Sequence, residues 1–200
     1  MDPTIHLAIM LATYAIPIMF VYYKYHTADA ATRSISSIIT SKEPFLTFSE
    51  IIPTPLLCIA TAIQERHFIA GCMFIMAGFT VLYEYQRQRW SLAAIVVLLC
   101  GIFGVIFIPE KNHVHYIFAA AAFFAIIGFM AGHTFHHKSI DIHDNLRMLL
   151  YVQILFMVIT VIGVIHDTAI FAIEVLFLFN FAIFYLYLHF STNTIIKKLI

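Results

Sequence analysis

The sequence predicts an all-α, polytopic membrane protein with six transmembrane helices. Three observations lead there. Hydrophobic residues make up 62% of the 200-residue chain and charged residues only 11%, with a mean hydropathy of +0.93. Water-facing domains carry about 25% charged residues, so this chain has too few charges to coat a solvated surface. The apolar residues are grouped in runs of about 18–22 residues, the length at which a helix crosses a hydrocarbon core of ~30 Å. Those runs show no period-two alternation, which excludes the strands of a membrane barrel.

The first run, IHLAIMLATYAIPIMFVYY, is longer than a signal-peptide core. No basic segment precedes it and no small-residue cleavage site is evident, so it is read as a retained first span. Residues 25–44 are polar and loop-like. Residues 45–65 are half apolar but carry Glu50 and prolines at 53 and 55, which would break a spanning helix. Residues 25–66 are therefore expected to form a luminal loop with a partly apolar portion; counting it as a span gives the rival total of seven. The next spans are expected at 67–85, 91–108, 114–132, 147–165 and 168–189. QRQRW, PEKNH, HHKSIDIHDN and the dipeptide HD separate them. Breaks this short make consecutive helices antiparallel neighbours. The whole chain, 1–200, is one membrane domain, with residues 191–200 as a cytosolic tail.

Six spans place both termini on one side. The last residues, KKLI, set Lys197 and Lys198 at the positions of a dilysine retrieval signal, read by cytosolic coat proteins. The other reading is two lysines snorkelling after a final helix. With cytosolic termini, the short loops place Arg87, Arg89, Lys138 and Arg147 in the cytosol against Lys111 outside, in line with the positive-inside rule. The address implies the endoplasmic reticulum or Golgi. No long basic run exists, so nucleic acid is not an expected partner.

The most conspicuous stretch is AGHTFHHKSIDIHDN. His133 and His137 stand one helical turn apart and could share a metal. With His136 and His143 they make one alternative reading, a metal-dependent lipid oxidase or hydrolase. Di-iron lipid desaturases need several such boxes, and here there is one. The other expectation is a solvated, histidine-rich cytosolic turn. His6, His26, His67, His113, His115 and His166 are expected nearer the far face. Haem needs axial histidines inside facing helices, whereas His113, His115, His136 and His137 fall in loops or at helix ends, so no cofactor is expected. Cys58, Cys72 and Cys100 sit in apolar runs and are expected as packing residues.

Ionisable groups inside spans are costly and are functional candidates by default. Glu174 lies about two turns into the last span. Gln153 and Asn180 are further polar groups within spans, and Glu84 is near enough to an end to reach the headgroups. Each is read either as lining a headgroup cavity or as hydrogen-bonding between helices. The run Ala119 to Ala122 should permit close helix approach.

Four segments carry a family resemblance. SISSIIT (34–40) with Pro44 follows the first span; QERHF, with Glu65 and Arg66, opens the second. GIFGVIFIPEKNHVHYIFAAAAFF holds His115, and FAIEVLFLFNFAIFYLYLHF holds Glu174. In this order they resemble the Frag/DRAM/Sfk superfamily of six-span membrane proteins. The resemblance implies a secretory-system protein in lipid handling, most directly supporting the lipid remodelling of GPI-anchored proteins. Membrane lipids and GPI-anchored proteins are the implied partners. A lipid-headgroup site at Arg66, His115 and Glu174 is expected, with residues 34–66 as its lid. The alternative within the resemblance is a non-catalytic regulator of autophagy or lipid organisation. The HTFHH stretch has no counterpart in the family pattern.

Overall fold

The computed structural model describes residues 2–25, 65–87, 89–108, 112–136, 140–166 and 170–199. They form six α-helices: α1 (Pro3–Tyr25), α2 (Glu65–Arg87), α3 (Leu92–Phe107), α4 (His113–His136), α5 (Ile140–His166) and α6 (Ile170–Leu199). A 3₁₀ turn, Arg89–Ser91, joins α2 to α3. No strand occurs among the described residues. The expected loop over 25–66 lies outside them except for the first turn of α2.

Local chemistry sets several of these ends. Asp2 caps α1: its carboxylate accepts from the Thr4 amide at 2.8 Å, and its carbonyl accepts from Ile5 and His6. Pro3 then opens the helix, where its missing N–H costs nothing. Asn112 does the same for α4, taking the Val114 amide at 3.0 Å. Three helices run further than the hydropathy alone suggests. α4 continues through His136, α5 begins at Ile140 rather than 147, and α6 runs on through residues 191–199. Nothing in HTFHH or in the tail breaks a helix: both lack proline, and beyond Gly132 both lack glycine. At 1.5 Å per residue the 30 residues of α6 extend about 45 Å, well beyond a hydrocarbon core of ~30 Å.

Consecutive helices alternate in direction. In α1 and α2, His6 packs on Phe79. In α3 and α4, Gly101 faces Phe118 and Ala122, while the Ile108 carbonyl meets His115. In α5 and α6, Asn145 reaches Tyr187 and Gln153 reaches Phe177. Helices α2, α4 and α6 therefore run parallel, as the pairs Arg87–His133 and Phe129–Tyr185 also require.

The α3–α4 contact is the tightest. A Cβ on Gly101 would lie 2.7 Å from the Ala122 amide nitrogen, and one on Gly104 would fall inside the Phe118 ring. The alanine run does permit close approach, with its partner glycines on α3. Cys100 points outward and Cys72 is half-buried, so neither is a core packing residue; Cys58 lies outside the described residues.

The bundle is apolar outside and partly polar inside. Phe74, Ile117, Phe124, Ile165 and Phe179 are each more than half exposed, while Glu84, Gln153, Thr134 and Ser91 are fully buried. A solvated protein sorts its side chains the other way. Among the described residues, three helical stretches are long and apolar enough to cross a membrane: His113–His136, His143–His166 and Ala172–Ser191. The described apolar part of α1, Thr4–Thr13, and α3 are shorter. This marks the chain as an integral membrane protein.

Candidate functional site

The densest polar chemistry lies at the end of the bundle where α2 finishes. Glu84 is completely buried. Its Oε2 accepts from the Ser91 hydroxyl and its Oε1 from the Tyr185 hydroxyl. Arg87, one turn on, approaches both carboxylate oxygens, at 3.2 and 3.4 Å. Its Nη2 also donates to His133 Nε2 at 3.0 Å. That leaves the His133 ring proton on Nδ1. The guanidinium sits 5.8 Å from the ring centroids of both Tyr83 and Tyr185, within cation–π range. Tyr83 in turn bonds His189 Nδ1.

The partners come from four elements: Glu84 and Arg87 from α2, Ser91 from the 3₁₀ turn, His133 from α4, and Tyr185 and His189 from α6. An i, i+3 pair on one helix face puts the carboxylate and guanidinium side by side. The tight turn after Arg87 brings Ser91 back over them. Trp90 closes the outer edge. Its indole lies over His133 at 4.6 Å and His136 at 5.6 Å, in a niche that Gly132 leaves open; a Cβ there would come within 2.6 Å of the ring.

The carboxylate of Glu84 does not reach the headgroups, contrary to its expected role near a span end. Its oxygens accept from two hydroxyls and a guanidinium, which is how a buried charge is made tolerable. The Arg87 Nε–H is buried and has no partner among the described residues. The arrangement is a tie between α2, α4 and α6, shut against an incoming anion.

The histidine box is also recast. His133 is 2% exposed inside α4, packed between the tilted rings of Trp90 and Phe129, and not in a wet turn. A metal at its Nε2 would meet the Arg87 guanidinium. His136 is exposed against Trp90. His143 sits on α5 beside Asp144 at 3.7 Å and Arg147 at 3.4 Å. The His137 residue lies outside the described ones. Among the described residues no three His, Cys, Asp or Glu side chains gather as a metal-holding group. His6, expected nearer the far face, belongs to this same end, in the first turn of α1 against Phe79.

Arg66 and His115 lie in the first turns of α2 and α4, and Glu174 just past the first turn of α6. Because those helices are parallel, the three backbones share the opposite end of the bundle. His115 is 1% exposed, and its Nδ1–H donates to the Ile108 carbonyl at 2.7 Å. That bond closes the α3–α4 hairpin. Glu174 is half-buried. The Arg66 side chain, the 34–64 lid and the Lys197 and Lys198 side chains lie outside the described residues.

Gln153 and Asn180 answer the question left open for intramembrane polar groups. The Gln153 amide donates to the Phe177 carbonyl at 3.0 Å. Asn180 donates to the Leu149 carbonyl at 3.0 Å and to Gln153 Oε1 at 2.5 Å. They are a clamp between α5 and α6.

Sequence reasoning passed over the Glu84 cluster. Two signals were available: the E-x-x-R spacing followed by Ser91, and Tyr185 and His189 one turn apart within an apolar span. Comparisons of the chain with family models, with curated proteins and with solved structures find no match in any of the three.

Proposed function

We propose that this chain is a multi-pass protein of the endoplasmic reticulum or Golgi that handles membrane lipid and supports the lipid remodelling of GPI-anchored proteins. All six helices cross the bilayer in this reading, and the end bearing Glu84 and both termini faces the cytosol. The opposite, luminal end receives a lipid headgroup among Arg66, His115 and Glu174. The chain binds and presents lipid and is not itself the catalyst.

One observation carries the reading. Glu174 is a half-buried carboxylate in the otherwise apolar opening of α6, at the end where α2 and α4 also begin. A carboxylate at that level suits a polar, headgroup-facing lining, and the parallel run of the three helices puts the backbones of Arg66 and His115 at the same end of the bundle. Arg66 would take phosphate, whose oxygens its planar fork matches. The resemblance described above supports the choice of GPI-linked lipid.

The test is the lipid profile of GPI-anchored proteins in cells lacking the chain, restored with the wild type or with Glu174→Gln, Arg66→Ala or His115→Ala at matched expression. The reading expects loss of rescue from Glu174→Gln and Arg66→Ala. Full rescue by all three overturns it.

A further inference from the structure

A cavity of about 50 Å³ lies at the middle of the bundle, beneath the Glu84 tie. Its walls include Met10, Met76, Ile95, Leu98, Ile126 and Phe181, drawn from α1, α2, α3, α4 and α6. Only two lining side chains carry a hydroxyl, and both are engaged elsewhere. Thr80 Oγ1 donates to the Met76 carbonyl at 2.7 Å, and the Tyr185 hydroxyl donates to Glu84. The interior therefore offers nothing to water or to a headgroup.

The rim is different from the walls. Leu11, Ile102, Leu178 and Ala182 are only half-buried, so among the described residues the cavity communicates with the outer surface of the bundle. Residues 178–185 fall in the central third of the apolar stretch Ala172–Ser191. The medium outside the rim at that depth is hydrocarbon. An apolar cavity in a water-soluble protein stays empty because water cannot replace its lost hydrogen bonds there. In a bilayer that obstacle vanishes, and an unfilled wall forfeits dispersion contacts that an acyl chain would restore.

We infer that the cavity is a chain-end pocket, taking the terminal carbons of a membrane acyl chain that enters sideways past Leu178 and Ala182. Its volume suits a few methylenes, not a whole chain. Tyr185, held by Glu84, is the stop above it. The inference rests on the membrane reading and is independent of the headgroup site at Arg66, His115 and Glu174.

The test uses the full chain reconstituted in phosphatidylcholine vesicles. The lipid carries a photoreactive diazirine at the terminal carbon of one acyl chain or, separately, next to the ester. Adducts are mapped by peptide mass spectrometry. Terminal-carbon lipid should label the cavity residues Met10, Leu11, Leu178, Phe181 and Ala182, and ester-proximal lipid should not. Ala182→Phe plugs the rim and should lower cavity adducts about fivefold or more. Leu178→Ala widens the rim and should raise them. Phe179, 62% exposed on the outer face, should be labelled equally in all three proteins.

Labelling at Phe179 without labelling in the cavity overturns the pocket and leaves the membrane reading standing. Cavity adducts that neither substitution changes, or that the ester-proximal probe gives equally, also overturn it. Absence of label at both places overturns the membrane reading and the pocket together.

Discussion

Replacing Glu84 with alanine should be among the most damaging single changes in this chain. The substitution removes the acceptor of two buried hydroxyls and the counter-charge of Arg87, whose side chain is only 14% exposed. Two magnitudes compete. Neutral hydrogen bonds between membrane helices are worth about 0.6 kcal/mol on average and at most ~1.7. Breaking a buried ion pair by deleting one partner costs about 3–5 kcal/mol, because the survivor stays charged and unpaired. The second figure applies, since the substitution takes the counter-charge from a buried guanidinium. At about 2–4 °C per kcal/mol for a chain of this size, the melting midpoint in detergent should fall by roughly 6–20 °C. Size-exclusion recovery after heating reads this directly. Glu84→Gln should cost about half as much, keeping an acceptor for one hydroxyl but not the charge. The double change Glu84→Ala with Arg87→Ala removes both charges, so it should be milder than the sum of the singles by at least ~1.5 kcal/mol. Additive singles, or a Glu84→Ala protein within ~0.5 kcal/mol of wild type, would refute the buried tie.

Gly101→Ala should destabilise the α3–α4 contact by about 1–3 kcal/mol, because its Cβ meets backbone atoms of Phe118 and Ala122 below 3 Å; Gly128→Ala, which meets nothing within 4 Å, serves as the silent control in the same melting assay. Asn180→Leu should cost about 1 kcal/mol by leaving the Leu149 carbonyl and Gln153 Oε1 without their donor, and Asn180→Leu combined with Gln153→Leu should cost little more than the single change. The Thr4 hydrogen bond holds the Asp2 carboxyl below its usual value of 3.8. A depressed carboxylate stabilises at pH above its unfolded value and loses that contribution as pH falls through the folded one. Protection of the Thr4 amide, taken relative to its intrinsic exchange rate, should therefore hold from neutrality down into the ordinary carboxylate range and fall only below it, and Asp2→Ala should abolish that step.

How much could be read in advance depended on how far apart the interacting residues lie in the chain. The six described helices, and the alternation of α2 through α6, followed from the apolar runs and the short breaks, which are local properties. The α5–α6 clamp was half legible: Gln153 and Asn180 stood out as polar residues in spans, and their pairing needed only the neighbouring helix. The Glu84 tie was not legible, because Tyr185 lies 101 positions away and His133 lies 46 from Arg87. A glutamate near a span end is ambiguous by position alone: it reaches the headgroups if it faces out and needs a partner if it faces in. His133 was misread for a related reason. Three histidines in five residues look like a wet turn, and only the Gly132 niche that admits Trp90 shows that one of them is core.

The claim on which the rest depends is that the six helices cross the bilayer alternately. Then the end of the bundle that holds the Glu84 tie lies toward one compartment, and the end where α2, α4 and α6 begin toward the other. It is tested most directly by single cysteines in sealed, oriented vesicles, on a background with Cys58, Cys72 and Cys100 replaced by alanine. Asp2→Cys and Asp144→Cys should react with a membrane-impermeant thiol reagent from one side only. Asn112→Cys and His166→Cys should react only after the vesicles are opened, or the reverse in the opposite orientation. Reaction of all four from the same side would contradict the account.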